Sequence, residues 1–294
     1  MKLYRLGLPM IAVSVFGQTA ETRGIQPEAV VMARPQSKSP ATVAAKPQYQ
    51  ATGATSDKAA ASGSAATGRQ VGVTIWRLRR AVSGDSGARI LVQEDAATSE
   101  WIPERMASTS SLDAGDRVRL SIESPEAGYL YVIDRERYAN GERGEPYLIF
   151  PTARTNGGDN RLSAGKIVEI PSQTDRPNFF SLRRSRANQT DEELTVLLAP
   201  APIPDLMPGA GATKLTNEQV AGWEKQWSGK TVQRFELAGG AGRPWTRAEQ
   251  EAGASNSSAT RLLTQDEAPP QTVYRAVGSN ANGPMLVKVN LRYR

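Results

Sequence analysis

The chain of 294 residues contains no cysteine and no histidine. Without histidine there is no Ser-His-Asp triad, no Cys-His dyad and no imidazole metal site. Without cysteine there is no disulfide framework, zinc ribbon, iron–sulfur cluster or lipidated N-terminal cysteine. Stability has to come from burial and hydrogen bonding. Single-sign charge blocks are scarce too. Lys plus Arg number 36 against 30 Asp plus Glu, a formal charge of +6, but acids are interspersed with the bases, as in Asp134-Arg135-Glu136-Arg137. That pattern reads as a mixed, solvated surface, so nucleic acid is not an expected partner. Leucine is missing between Leu8 and Leu78, and this gap divides the chain.

What precedes the gap has the form of an export signal. Lys2 and Arg5 are followed by an uncharged apolar stretch, Leu6 to Phe16, about as long as a signal h-region and too short to span a bilayer as a helix. Small residues follow, and the preferred cleavage site is after Gly17. Cleavage there removes Lys2 and Arg5 and no acid, lowering the charge from +6 to +4. The expected product is periplasmic or extracellular, with no transmembrane span after signal removal. It is not a lipoprotein, because no cysteine follows. Residues 18–68 then read as a disordered low-complexity linker. From Gln26 to Gln70 there is no Leu, Ile, Phe or Trp, too little apolar surface to offset ordering entropy.

Residues 69–294 read as a β-rich domain. Val71–Arg79 and Ala88–Gln93 are strand-like. Asp116–Glu123 alternates, with Val118, Leu120 and Ile122 on one side and Arg117, Arg119, Ser121 and Glu123 on the other, the period of a half-buried strand. Gly128–Ile133 is apolar on both faces and should be a central strand. Further strands are expected at Tyr147–Phe150, Lys166–Ile170, Phe179–Leu182, Glu193–Leu198, Val232–Leu237, Thr272–Val277 and Met285–Leu291. Short strands punctuated by Gly, Pro and Asn predict a mainly β fold, an antiparallel sandwich-like body. Two short peripheral helices are expected near the C-terminus. Thr216-Asn217-Glu218-Gln219 is a capping box with Leu215 and Val220 placed as a hydrophobic staple, and Thr246-Arg247-Ala248-Glu249 opens a second helix ending by Gly253. Residues 253–268 read as an exposed loop.

Several motifs resemble catalytic ones. Gly84-Asp85-Ser86-Gly87 has the form of a serine-protease nucleophile motif but lacks its histidine base, and it reads as a turn. Ser163-Ala164-Gly165-Lys166 has the Ser-x-x-Lys spacing of penicillin-binding enzymes, yet Gly165 interrupts the helix that motif needs. Asp134, Glu136, Asn140, Glu142 and Glu145 gather oxygen ligands, but they match no calcium loop. Arg135, Arg137 and Arg143 neutralise them, which favours a surface ion-pair loop and no metal. Thirty acids leave paired-carboxylate glycosidase chemistry open. Trp76, Trp101, Tyr129, Tyr131, Tyr138 and Tyr147 could stack on sugar, against a reading as sheet packing. Arg183-Arg184-Ser185-Arg186 is the densest basic cluster and reads as a solvated hairpin end.

Several stretches together resemble a bacterial domain of unknown function, family 4384. They are Gly115-Asp116-Arg117-Val118-Arg119-Leu120, Gly128-Tyr129-Leu130-Tyr131-Val132-Ile133-Asp134, Leu148-Ile149-Phe150-Pro151, Asn160, Gly165, Pro171 and Glu193-Leu194-Thr195-Val196, covering about residues 110–200. Where family members carry Gly shortly before the last strand, this chain has Thr190-Asp191-Glu192. The resemblance implies a β-sandwich-like, extracytoplasmic module and no catalytic residues. The leading expectation is therefore an exported, non-catalytic envelope module that binds a protein or glycan and needs no cofactor. Its candidate binding residues are Tyr129, Tyr131, Asp134, Tyr138, Tyr147, Phe150 and Asn160. The alternatives are a histidine-free glycan hydrolase and a binder of anionic ligands through Arg-rich strands. Oligomeric state is not encoded in any pattern found.

Overall fold

A computed structural model of the chain describes residues 25–27, 69–94, 97–204, 206–228, 231–236, 240–247, 260–262, 271–277 and 282–294. Its strands, in chain order, are β1 (Ile25–Pro27), β2 (Arg69–Arg80), β3 (Ile90–Glu94), β4 (Ala97–Met106), β5 (Ser111–Leu112), β6 (Arg117–Glu123), β7 (Gly128–Tyr138), β8 (Tyr147–Phe150), β9 (Arg161–Leu162), β10 (Lys166–Ile170), β11 (Phe180–Leu182), β12 (Gln189–Ala199), β13 (Thr213–Lys214), β14 (Thr231–Glu236), β15 (Thr260–Leu262), β16 (Thr272–Val277) and β17 (Met285–Tyr293). The fold is mainly β. Among the described residues there is one α-helix, α1 (Asn217–Trp227), where two were expected. The second expected helix lies, beyond Arg247, outside the described residues. No described helix is long and apolar enough to cross a membrane.

The strands form two sheets. The first has ten strands, with β2 and β6 as its trunk. β6 pairs with β2 along one edge and shares the other between β10 and β11. β2 likewise shares its far edge between β16 and β4. The second sheet has seven strands in the order β13-β8-β7-β12-β17-β5, with β9 also on β7. Every pairing is antiparallel except β17 with β5. β7 is flanked by β8 and β12, as its two-sided apolar sequence predicts.

Period-two alternation explains the core. Val71, Val73 and Ile75 of β2 and Val118, Leu120 and Ile122 of β6 pack in one cluster with Leu130 and Val132 of β7, Leu194, Val196 and Leu198 of β12, and Val287, Val289 and Leu291 of β17. This cluster joins the two sheets. The opposite faces are covered as well. Behind the second sheet, Tyr131, Ile133, Leu197 and Leu286 pack on Leu206, Leu215 and Val220, with Trp223 and Trp227 of α1 alongside. The capping box at Thr216 and Gln219 is formed. Behind the first sheet lie Trp76, Leu78, Ile90, Val92, Phe179 and Trp245.

That outer layer corrects the half-buried reading of β6, because Arg119, Ser121 and Glu123 are buried too. Trp76 Nε1 donates to Ser121 Oγ at 2.8 Å, so the polar face of β6 is satisfied inside the protein. Two loop readings also change. Ile25–Pro27, within the expected linker, pairs with Leu182–Phe180 of β11. Thr260–Leu262, within the expected 253–268 loop, pairs with Lys166–Val168 of β10. The other residues of the signal and linker readings lie outside the described residues.

Candidate functional site

The most unusual chemistry lies where the inner face of the second sheet runs out of apolar residues. β7 places Leu130, Val132, Asp134 and Glu136 on that face in turn. β12 brings Leu198, Val196, Leu194 and Glu192, and β17 brings Val289, Leu291 and Tyr293. The carboxylates of Asp134, Glu136 and Glu192 therefore gather at one end of the core, each nearly or fully buried. Tyr293 Oη donates to Glu192 Oε1 at 2.8 Å, and Gln189 Nε2 donates to the same oxygen at 2.6 Å. Tyr138 Oη donates to Glu136 Oε2.

Burial, and then the charge of Glu136, pushes the Asp134 carboxyl well above the usual carboxylate range. Burial, and then Asp134, does the same to Glu192. Buried like charges in contact cannot all ionise. Asp134 Oδ1 and Glu192 Oε2 are both buried without a hydrogen-bond donor. Burial and the neighbouring carboxylates raise Tyr138 and Tyr293 as well, so both phenols stay donors. Among the described residues no group of acidic side chains is arranged to hold a metal ion.

Two loops close over it. Residues 139–145 form a tight turn in which Tyr138 N bonds Glu142 O and Gly144 N bonds Glu136 O at 2.9 Å. A Cβ on Gly144 would stand 2.8 Å from Glu136 Oε2, so only glycine lets the loop sit this close. Residues 183–188, between β11 and β12, are exposed throughout. Ala139 N bonds Asn188 O at 2.9 Å, joining the loops, and Arg186 pairs with Glu142 at 3.3 Å. Tyr138 Oη reaches Ser185 Oγ at 3.1 Å. Arg184 lies 5.0 Å over the Tyr293 ring and Arg186 4.5 Å over the Tyr138 ring. A basic, exposed surface thus covers an acidic, buried one. The back of the same strands carries Arg137 and Lys288 on Glu193, and Lys288 and Arg143 on Glu224 of α1.

Of the seven predicted binding residues, Asp134 and Tyr138 come together here. Tyr129 and Tyr131 face the helix layer, where Tyr131 Oη accepts from Ile203 N at 3.0 Å. Phe150 is fully buried in the core, and Tyr147 packs against it from the same side. Asn160 bonds both backbone groups of Leu130, through its side chain at 3.1 Å and its carbonyl at 2.8 Å. The expected surface ion-pair loop is corrected in its first half. Asp134 and Glu136 belong to a strand and are buried, and only Glu142 and Glu145 form the expected surface pairs, with Arg186 and Lys214. Glu192, Gln189 and Tyr293 were missed. Their signal was present, since Glu192 stands two residues before Leu194 and Tyr293 two after Leu291, each continuing an apolar alternation.

The motifs that resembled enzymes have local roles. Asp85 of Gly84-Asp85-Ser86-Gly87 lies in the β2–β3 connection, where hydrogen bonds from Arg79 and Val82 N hold its carboxyl down at about 2. Ser163 and Lys166 end a turn rather than share a helix face. The Arg-rich strands are also engaged. Arg119 bonds Pro171 O and Glu169, Arg105 lies 4.6 Å over Trp76, and Arg117 lies 4.3 Å over Trp101 and 4.5 Å over Phe179. A pocket between Ile149, Thr155, Pro177 and Phe180 has a volume of about 20 Å³, room for a single water.

No curated protein and no solved structure matches the chain. The matched family segment runs from β5 to the loop before β12 and includes Asp134, Glu136 and Tyr138, while Glu192 and Tyr293 lie outside it. The family concerned is the one the sequence resembled: residues 111–188 match the model of the domain of unknown function DUF4384.

Proposed function

We propose that the chain is an exported, non-catalytic module of the cell envelope. It binds a protein or glycan through the paired loops 139–145 and 183–188, carried by a sandwich of the two sheets. The observation that supports this reading is the contrast between those loops and what lies beneath them. Residues 139–143 and 183–188 are exposed, yet they stand on a hydrogen-bonded platform of Tyr138, Glu136, Glu192 and Tyr293. Loops held by a rigid scaffold are where binding concentrates. The resemblance noted in the sequence implies an extracytoplasmic module and brings no catalytic residue with it. A glycosidase needs two acids flanking an open cleft, and the carboxylates that gather here are buried and bonded to their neighbours. Arg183, Arg184 and Arg186 favour a partner with anionic groups, such as an acidic protein surface or an anionic glycan.

The test is in-cell photo-crosslinking from Asn140 or Ala187, with Val82, an exposed residue of the first sheet's β2–β3 connection, as control. A partner captured from the loops and not from Val82 is expected. The same products from all three positions, or none from the loops, overturn the reading. Export has its own check: the mature protein should begin at Gln18.

A further inference from the structure

The carboxylate cluster has an inventory that does not balance without a proton. Asp134 Oδ1, Glu136 Oε1 and Glu192 Oε2 are buried and receive no donor from a neutral or cationic group. Asp134 and Glu192 stand on adjacent paired strands, where one proton shared between them would satisfy both. The groups that face the cluster come from every element around it. β7 supplies Glu136 and Tyr138, β12 supplies Gln189 and Glu192, and β17 supplies Tyr293. The 183–188 loop supplies Ser185 to Tyr138, while Arg184 and Arg186 reach the Tyr rings. Glu142 in the other loop is turned to Arg186. Among the described contacts no Lys or Arg bonds the three carboxylates, so a lost proton leaves their charges without a counter-ion.

Relief has a mechanical direction. Glu136 Oε2 lies against Gly144, and Tyr138, its donor, touches Ser185. A repelled Glu136 therefore presses on both loops at once. We propose that the Asp134–Glu136–Glu192 cluster is a proton-operated latch that holds the two exposed loops together when protonated and loosens them when it ionises. This inference rests on the reading of those loops as the contact surface and assigns that surface its regulation: it is ordered in acid and mobile in base. The sign follows from linkage. Carboxyls raised above their ordinary range bind their proton more tightly in the folded chain. The closed form is therefore fully favoured below about pH 4 and loses ground as pH rises toward the raised values.

The chain has no cysteine, so labels can be placed at will. Spin labels at Asn140→Cys and Ala187→Cys report the loop-to-loop distance from about pH 5 to about pH 9. A narrow distribution at the acid end and a broader one at the alkaline end are expected. Glu192→Gln, which donates a hydrogen bond without titrating, should keep it narrow throughout, and Asp134→Asn is the second variant should that one not fold. A control pair at Val82→Cys and Thr109→Cys, in the β2–β3 and β4–β5 connections, should not respond. An unchanged loop distribution in the otherwise native protein overturns the latch, and so does equal broadening of the control pair or of Glu192→Gln. Crosslinks lost from the loops with the pH response intact would remove the contact surface and leave the latch, and the converse result would do the opposite.

Discussion

Each sheet carries a buried polar patch, and the two are satisfied by opposite means. Behind the first sheet the buried charges are mostly cationic. Arg119 is paired with Glu169 at 3.2 Å and bonded to Pro171 O, and Arg105 and Arg117 lie over tryptophan and phenylalanine rings. Guanidinium is permanently charged, so its burial has to be offset by carboxylate, carbonyl and π-face. At the end of the second sheet the buried groups are acidic. They take hydrogen bonds from tyrosine and glutamine, and burial raises Asp134 and Glu192 toward the neutral form. The first patch is built on permanent guanidinium charge, and the second on carboxyls that burial raises. Histidine, the usual group for titration near neutral pH, is absent.

The largest effect that would break this contrast is expected at Arg119. Arg119→Ala leaves Glu169 buried without its main partner, which should cost about 3–5 kcal/mol of unfolding free energy in urea titration. Arg119→Met combined with Glu169→Gln should lose far less, because no uncompensated charge remains. Next comes Tyr293→Phe, which removes one of the two neutral donors to Glu192 Oε1. A loss of about 1–3 kcal/mol is expected at neutral pH. Glu192→Gln sharpens the comparison by its pH dependence. Melting temperature of the native protein should fall as pH rises from about 4, because the folded state holds the proton more tightly than the unfolded chain. In the variant that slope should flatten, with little change at the acid end. A native profile that rises over this range would reverse the assignment of the proton. The smallest effect is expected at Arg161→Ala. Its pair with Asp159, 2.7 Å long, is exposed on both sides, and no measurable shift in melting temperature should follow.

Strand positions were legible where period and punctuation agree. Tyr147–Phe150, Lys166–Ile170 and Thr272–Val277 have the predicted bounds, and the capping box with its staple located α1. β4 was not legible, since Trp101 and Ile102 stand among Ser99, Glu100, Pro103, Glu104 and Arg105 with no clear period. Tertiary pairing with β2 and β3 makes it a strand. β7 and β12 were read too short for the same reason in reverse. The sequence reading places Asp134 in a loop and begins the later strand at Glu193, whereas β7 runs on to Tyr138 and β12 starts at Gln189. Where the chain departs from the family's Gly, β12 carries an irregularity, and its register with β7 shifts between Gln189 and Asp191. Of the seven predicted residues, Asp134 and Tyr138 meet at the strand end, while Tyr129, Tyr131, Tyr147, Phe150 and Asn160 pack elsewhere. Aromatic identity does not tell which of two buried faces a side chain occupies.

By itself the sequence determined the class of the fold, the central place of β7 and the family resemblance, because alternation, turn residues and local motifs are properties of neighbours along the chain. It also determined which chemistries are closed, since a missing side chain is missing in any fold. Only the tertiary structure decided what the charged residues do. Asp134 and Glu192 are 58 positions apart in the chain, and no local pattern says that they meet. They meet because two strands pair in one register, and the sheet they share removes both from water. That loss of solvent raises both carboxyls well above their ordinary range.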